Sequence, residues 1–303
     1  MRVASTQYHA TMNTALQNAQ VRLEKVMQQM ASAQRVQMPS DDPIATVRLG
    51  RLAREDAALK QYRDNIASLN ERLSQGEARL DSMNSDLMAA RDLLVWAADG
   101  SNTSKDVNAM VTQLQTLRDS VLATANSRDS EGRYVFSGTA VNTATVTFDS
   151  AAAVGSRYTF TGNTGEQRVV VGHGVTQVAN TTLDDVASFL NQIDQSIETL
   201  GASGVSVNDP AVHAELAATL NQTDAFLNSV NTRIARIGGA MTTLATLDTT
   251  HANVSLSNQQ ASLTLGQLDY SDAAVRFNGY TSALQATQKA YAKVSALSLF
   301  DVI

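Results

Sequence analysis

The chain has 303 residues, of which 43% are hydrophobic but only 5% aromatic, with 3 prolines, no cysteine and a formal charge of -6. The lack of cysteine excludes a disulfide scaffold, a thiolate metal site and a cysteine nucleophile, and the acidic balance gives no basic face for nucleic acid. Few aromatics among many small residues suit thin bundles of closely approaching helices, not a thick globular core. The N-terminal run from Met1 to His9 lacks the apolar stretch and cleavage site of a secretory signal. No segment reaches the ~18 apolar residues of a membrane span. By these tests alone the chain reads as cytosolic, with no membrane contact.

The first element is a helix whose apolar residues alternate three and four apart: Met12, Leu16, Ala19, Leu23, Val26, Met30 and Ala33. This is the seam of packed helices. Ser40-Asp41-Asp42-Pro43 then supplies a cap and a first-turn proline. A second, longer seam follows through Leu59, Tyr62, Ile66, Leu69, Leu73, Leu80, Met83, Leu87, Ala90, Leu94 and Ala97. Gly76 is its one poor seam residue, and Asp99-Gly100 marks its end. Roughly 56 residues at about 1.5 Å each predict a helix of roughly 84 Å. After Ser104 the seam resumes at Val107, Met110, Leu114, Leu117, Val121 and Thr124.

Between about Gly132 and Thr181 the texture changes. The runs 133–136, 145–148, 158–161 and 168–171 are alternating or β-branched and predict four strands, separated by Ser137-Gly138, 153–156, 162–165 and Gly172-His173-Gly174 as turns. A shorter amphipathic helix is expected from Leu183 to Leu200. Asp209-Pro210 repeats the cap-and-proline device and opens a seam from Leu216 to Leu244, and the last seam runs Tyr270, Ala273, Phe277, Tyr280, Leu284, Thr287, Tyr291 and Val294.

The predicted fold is mainly α, a long-helix rod with a small inserted β domain. Terminal helices occupy 1–37 and 263–303, the helical rod 38–131 and 182–262, and the β insert 132–181, placed most simply at a tip of the rod. A lone pair of terminal helices buries too little apolar surface to offset the entropy of ordering them. The termini also carry few charges, with Glu24 the sole acidic residue before Asp41. Both features point to completion by a partner at an assembly interface of Met12, Leu16, Leu23, Val26, Met30, Phe277, Tyr280, Leu284, Tyr291 and Val294. The alternative is a solvated helix pair on a monomeric bundle.

Three segments carry a family resemblance. Gln34-Arg35-Val36-Gln37-Met38-Pro39-Ser40-Asp41-Asp42-Pro43 closely resembles the segment after the first helix of the flagellar hook-associated proteins, in the flagellin superfamily. Gly132-Arg133-Tyr134-Val135-Phe136-Ser137-Gly138 resembles that family's entry into its β domain, and the stretch from Ala292 to Asp301 resembles its C-terminal helix. The resemblance implies a flagellin-like coiled-coil bundle that joins hook to filament by helical self-assembly. It implies terminal helices that fold against neighbours into an inner tube. The partners it implies are hook-associated protein 1, flagellin, copies of the chain in a ring, an export chaperone and the type III export apparatus. Export without a cleaved signal peptide would place the protein outside the cell, on the flagellum, and so revises the cytosolic reading. Within the family the rival is flagellin itself, which usually carries Ala-Lys-Asp-Asp-Ala after the first helix and a Leu-Leu-Arg-like tail. Outside it, the rival is a type III secreted coiled-coil tip protein or adhesin.

No catalytic, metal or cofactor constellation emerges. His9, His173, His213 and His251 share no metal-ligand spacing. Asp41-Asp42 is explained by capping, and Gly172-His173-Gly174 lacks the further glycine of a nucleotide fingerprint. Asn102-Thr103-Ser104 fits a glycosylation acceptor, yet such short matches are common and a helix start at Ser104 suffices to explain it. The sequence reads as a structural subunit and not an enzyme.

Overall fold

The computed structural model describes the backbone of residues 2–300 and the side chains of residues 6–293. Six helices and four short strands follow in the order α1 (Arg2–Ser32), α2 (Pro43–Ala97), α3 (Ser104–Ala125), β1 (Val146–Phe148), β2 (Tyr158–Phe160), β3 (Arg168–Gly172), β4 (Val175–Val178), α4 (Val186–Gly201), α5 (Pro210–Gly266) and α6 (Tyr270–Phe300). The chain divides into two compact units, residues 1–59 with 252–303, and residues 60–251. The division falls inside α2 and α5.

Helices α2, α3, α5 and α6 begin where the sequence supplies a cap. Pro43 and Pro210 each open a long helix, where a missing N–H costs nothing. The Asp42 carboxylate accepts the Ala45 amide at 2.9 Å. Thr103 and Asp106 form a reciprocal capping box at the start of α3.

In the unit of residues 60–251, α2, α3, α4 and α5 make an antiparallel bundle. Arg63–Asp248 at 2.8 Å and Arg91–Asp224 at 2.6 Å set the register of α2 on α5. Ser120 donates to Asp86 from α3 to α2, and Asn108 donates to the Leu200 carbonyl of α4. The predicted α2 seam from Ile66 to Ala97 lies buried along this bundle, and Gly76 is buried with it, opposite Ile237. Phe189 of α4 stacks on Phe226 of α5, ring centroids 5.2 Å apart.

The β insert consists of two separate antiparallel hairpins, β1–β2 and β3–β4. Two asparagine amides finish the first: Asn126 exchanges hydrogen bonds with the Val146 backbone, and Asn191 with that of Tyr158. The second is tied to the helices through Asn65 to Val170 O and His251 to Val171 O, both at 2.8 Å. Phe136, Val146, Tyr158 and Val171 belong to the same buried cluster as Leu73 of α2 and Phe189 of α4. The hairpins are therefore packed on the helices as part of one core. Helix α4 packs on both α3 and β2.

Two sequence expectations are corrected. Residues 133–136 do not form a strand, because successive backbone groups find different partners. The Arg133 amide goes to the Asp129 carboxylate, that of Tyr134 to Val141 O and that of Val135 to Ser127 O. Only a single bridge to Arg128 results, with Phe136 fully buried. The sequence pattern predicts no strand after the turn at Gly172-His173-Gly174, whereas Val175-Thr176-Gln177-Val178 pairs back on β3 to complete the hairpin as β4.

Candidate assembly interface

In the other unit, α1 packs against α6. The His9 ring meets Tyr291 edge-on at 5.5 Å, and Tyr270 Oη donates to Met30 O at 3.0 Å, so the helices run antiparallel. Val26, Leu268 and Ala273 form a small buried cluster flanked by Met30, Phe277 and Tyr280. Met12, Leu16, Leu23, Leu284 and Tyr291 are only half-buried. The Val294 side chain lies outside the described residues.

The structure thus brings Val26, Met30, Phe277 and Tyr280 together within one chain, and leaves the rest of the predicted seam partly open. Among the described residues, the apolar side chains most exposed on these helices are different ones: Val21 at 63%, Met27 at 53% and Val275 at 71%. They sit off the three–four repeat, which is why the seam pattern missed them. Their signal in the sequence is a large apolar residue at an off-seam position of a helix with few charges.

The segment 33–42 joins α1 to α2 and organises this unit with polar groups. Lys25 Nζ donates to Asp41 Oδ1 at 2.6 Å, while the Gln37 and Met38 amides both donate to Asp41 Oδ2 at 3.1 Å. The Lys25 ammonium, then the Met38 and Gln37 N–H groups, hold the Asp41 carboxyl at a pKa of about 2. The Asp42 carboxyl is also lowered, first by the Ala45 amide it caps and then by Arg35, whose Nη1 stands 3.1 Å away. The sequence identified capping in Asp41-Asp42. Asp42 does this, whereas Asp41 closes the preceding turn onto α1.

Among the described residues there is no cluster of three or more His, Cys, Asp or Glu that could hold a metal ion, and no helix long and apolar enough to cross a membrane. What the arrangement offers is a half-covered helix pair.

Long helices that pair at the chain ends, with a small β region midway along the sequence, define a flagellin-type fold, and residues 3–141 match the family described as the bacterial flagellin N-terminal helical region. A flagellar hook-associated protein 3 of Salmonella typhimurium is 26% identical over 317 residues, covering 100% of this chain and 99% of that one. The Escherichia coli protein of the same name is 28% identical over 315 residues, with the same coverage. A solved structure from Vibrio parahaemolyticus, described as a flagellar hook-associated protein, is 35% identical. It covers 74% of this chain and 99% of its own, with a TM-score of 0.67. The chain belongs to the flagellar hook-associated proteins.

Proposed function

We propose that the chain is a structural subunit that joins the flagellar hook to the filament, assembling through α1 and α6, and that it has no catalytic role. The observation that carries this is the incomplete burial of the terminal pair. Among the described residues, Val26, Leu268 and Ala273 make the small buried apolar cluster of this pair, while Val21, Met27 and Val275 face outward. Exposed apolar groups on adjacent helices favour covering by a further protein surface. Copies of the same chain arranged in a ring supply one such surface, and hook-associated protein 1 and flagellin supply the others on either side.

Decorating purified flagella with gold-labelled antibody against the bundle tests the proposal. Label confined to the base of the filament is expected. Label along the whole filament would make the chain a filament subunit, and label absent from flagella would remove it from the organelle.

A further inference from the structure

Within residues 60–251, α2 and α5 carry Gly76, Gly238 and Gly239 and no other glycine, and these stand at one level of the bundle. A Cβ on Gly76 would meet the Cδ1 of Ile237, the residue just before the α5 pair, at 4.0 Å, an ordinary contact. A Cβ on Gly238 or Gly239 would meet nothing within 4 Å. Packing therefore demands glycine at none of the three positions, although glycine is the weakest helix former after proline. Two paired helices are weakened at the same height.

The surroundings leave that level room to move. Arg91–Asp224 and Arg63–Asp248 tie α2 to α5 on either side of it, and among the described residues no hydrogen bond or ion pair joins the two helices in between. Thr242 and Thr243 donate to Gly238 O and Gly239 O, both at 3.0 Å. Such back-bonding from threonine hydroxyls bends helices. Arg236, Ile237 and Ala240, which flank the glycines, line an open cleft of about 410 Å³ shared with Gln177 and Thr181. The chain from β3 to the start of α4 spans the glycines as a strap. Beyond them His251 Nε2 donates to Val171 O at 2.8 Å, and before them Arg233 binds Thr182 O at 2.7 Å and the carboxylates of Asp184 and Asp185.

We propose that the bundle has a bending joint at Gly76 and Gly238-Gly239. The two ends of the α2–α5 pair change their mutual tilt there, each keeping its own ion pair, and the strap from Val171 to Asp185 limits how far. Kinks settle where the helical hydrogen-bond ladder is weakest, and a glycine pair is such a place. The joint rests on this geometry alone and not on the assembly reading.

The chain has no cysteine, so spin labels at two exposed sites, Ala225→Cys and Thr250→Cys, report on α5 across the glycines. Pulsed electron resonance on the full-length protein should show a broad distance distribution in the labelled parent. Gly238→Ala with Gly239→Ala should narrow it to about half that width, since alanine restores a helix-forming backbone. His251→Ala, which releases one end of the strap, should widen it. Hydrogen exchange at amides 238–243 of the parent should run about tenfold faster than at 226–230, and the two alanines should remove the difference. A parent distribution as narrow as that of the alanine variant would overturn the proposal, even with a raised unfolding midpoint, because the glycines would then weaken α5 without bending it. Even exchange along α5 in the parent would also overturn it. An unchanged width in His251→Ala would overturn the role of the strap.

Discussion

Arg118 Nη1 donates to Asp194 Oδ1 across 2.8 Å, at a carboxylate only 2% exposed on the buried face of α4. Arg157, just before β2, reaches the other oxygen at 3.3 Å. One carboxylate thus fixes both α3 and the β1–β2 hairpin to α4. A buried charge is tolerated only when paired, and removing one partner strands the others. Arg118 would keep Asp119 at 2.9 Å, but Arg157, whose Nε already lacks a partner, would be left without an anion. Asp194→Ala is expected to cost roughly 3–5 kcal/mol in urea unfolding followed by circular dichroism. A loss below about 1 kcal/mol would show that the ion group behaves like a surface pair.

The turn at Asp41 should respond to acid. Its folded pKa of about 2 lies below the ordinary 3.8, so the ionised form is favoured by folding. The contribution is fully present above the ordinary value and is lost as pH falls from there toward 2. The amide shifts of Gln37 and Met38, followed by NMR, should titrate with that low midpoint. Lys25→Ala should raise it, because the Lys25 ammonium is the largest cause of the depression. A midpoint at the ordinary value in the parent chain would show that the turn is open in solution.

Two glycines should behave in opposite ways. Gly76 sits in the middle of α2, and a Cβ there would meet Ile237 Cδ1 at 4.0 Å, an ordinary contact. Gly76→Ala is therefore expected to stabilise by about 0.5–1 kcal/mol, chiefly by restricting the unfolded chain. Gly138 has φ +74°, and a Cβ there would lie 2.0 Å from the Asn163 carbonyl oxygen. Gly138→Ala should cost roughly 2 kcal/mol or more. Thermal unfolding of both variants beside the parent checks the contrast.

The sequence displays the parts of this fold that repeat. The seam from Ile66 to Ala97 is readable because each of its turns meets the same kind of neighbour, so burial recurs every three to four residues. The cap at Asp42 is equally legible, because it satisfies an amide close by in sequence. Tertiary pairing hides the rest. Residues 133–136 have the composition of a strand, yet their partners at 127, 129 and 141 preclude a ladder. Arg35 reaches Leu265 across 230 positions, a relation no local pattern contains. Val21 and Val275 escaped notice because a repeat-based reading assigns meaning only to residues within the repeat.

Val275 allows the assembly reading to be separated from simple folding. Val275 is 71% exposed in the free chain, so Val275→Asp removes little buried surface, and the monomer's stability should stay within about 0.5 kcal/mol of the parent. If a neighbouring subunit covers that position, the new carboxylate becomes buried without a partner in every copy of the ring, at several kcal/mol each. Cells carrying the variant should then keep their hooks, lose their filaments and release flagellin into the medium. Leu23→Asp makes the comparison, because Leu23 lies half-buried on the α1 seam. It should loosen the α1–α6 pair in the monomer itself, seen as faster hydrogen exchange in both helices, and reduce filament number as a consequence. The measurements are thermal unfolding and exchange of the purified monomers beside filament counts and flagellin in culture supernatant. Normal filaments on Val275→Asp cells would show that this face stays open to solvent in the flagellum. An early-melting Val275→Asp monomer would show that the residue already belongs to the chain's own core.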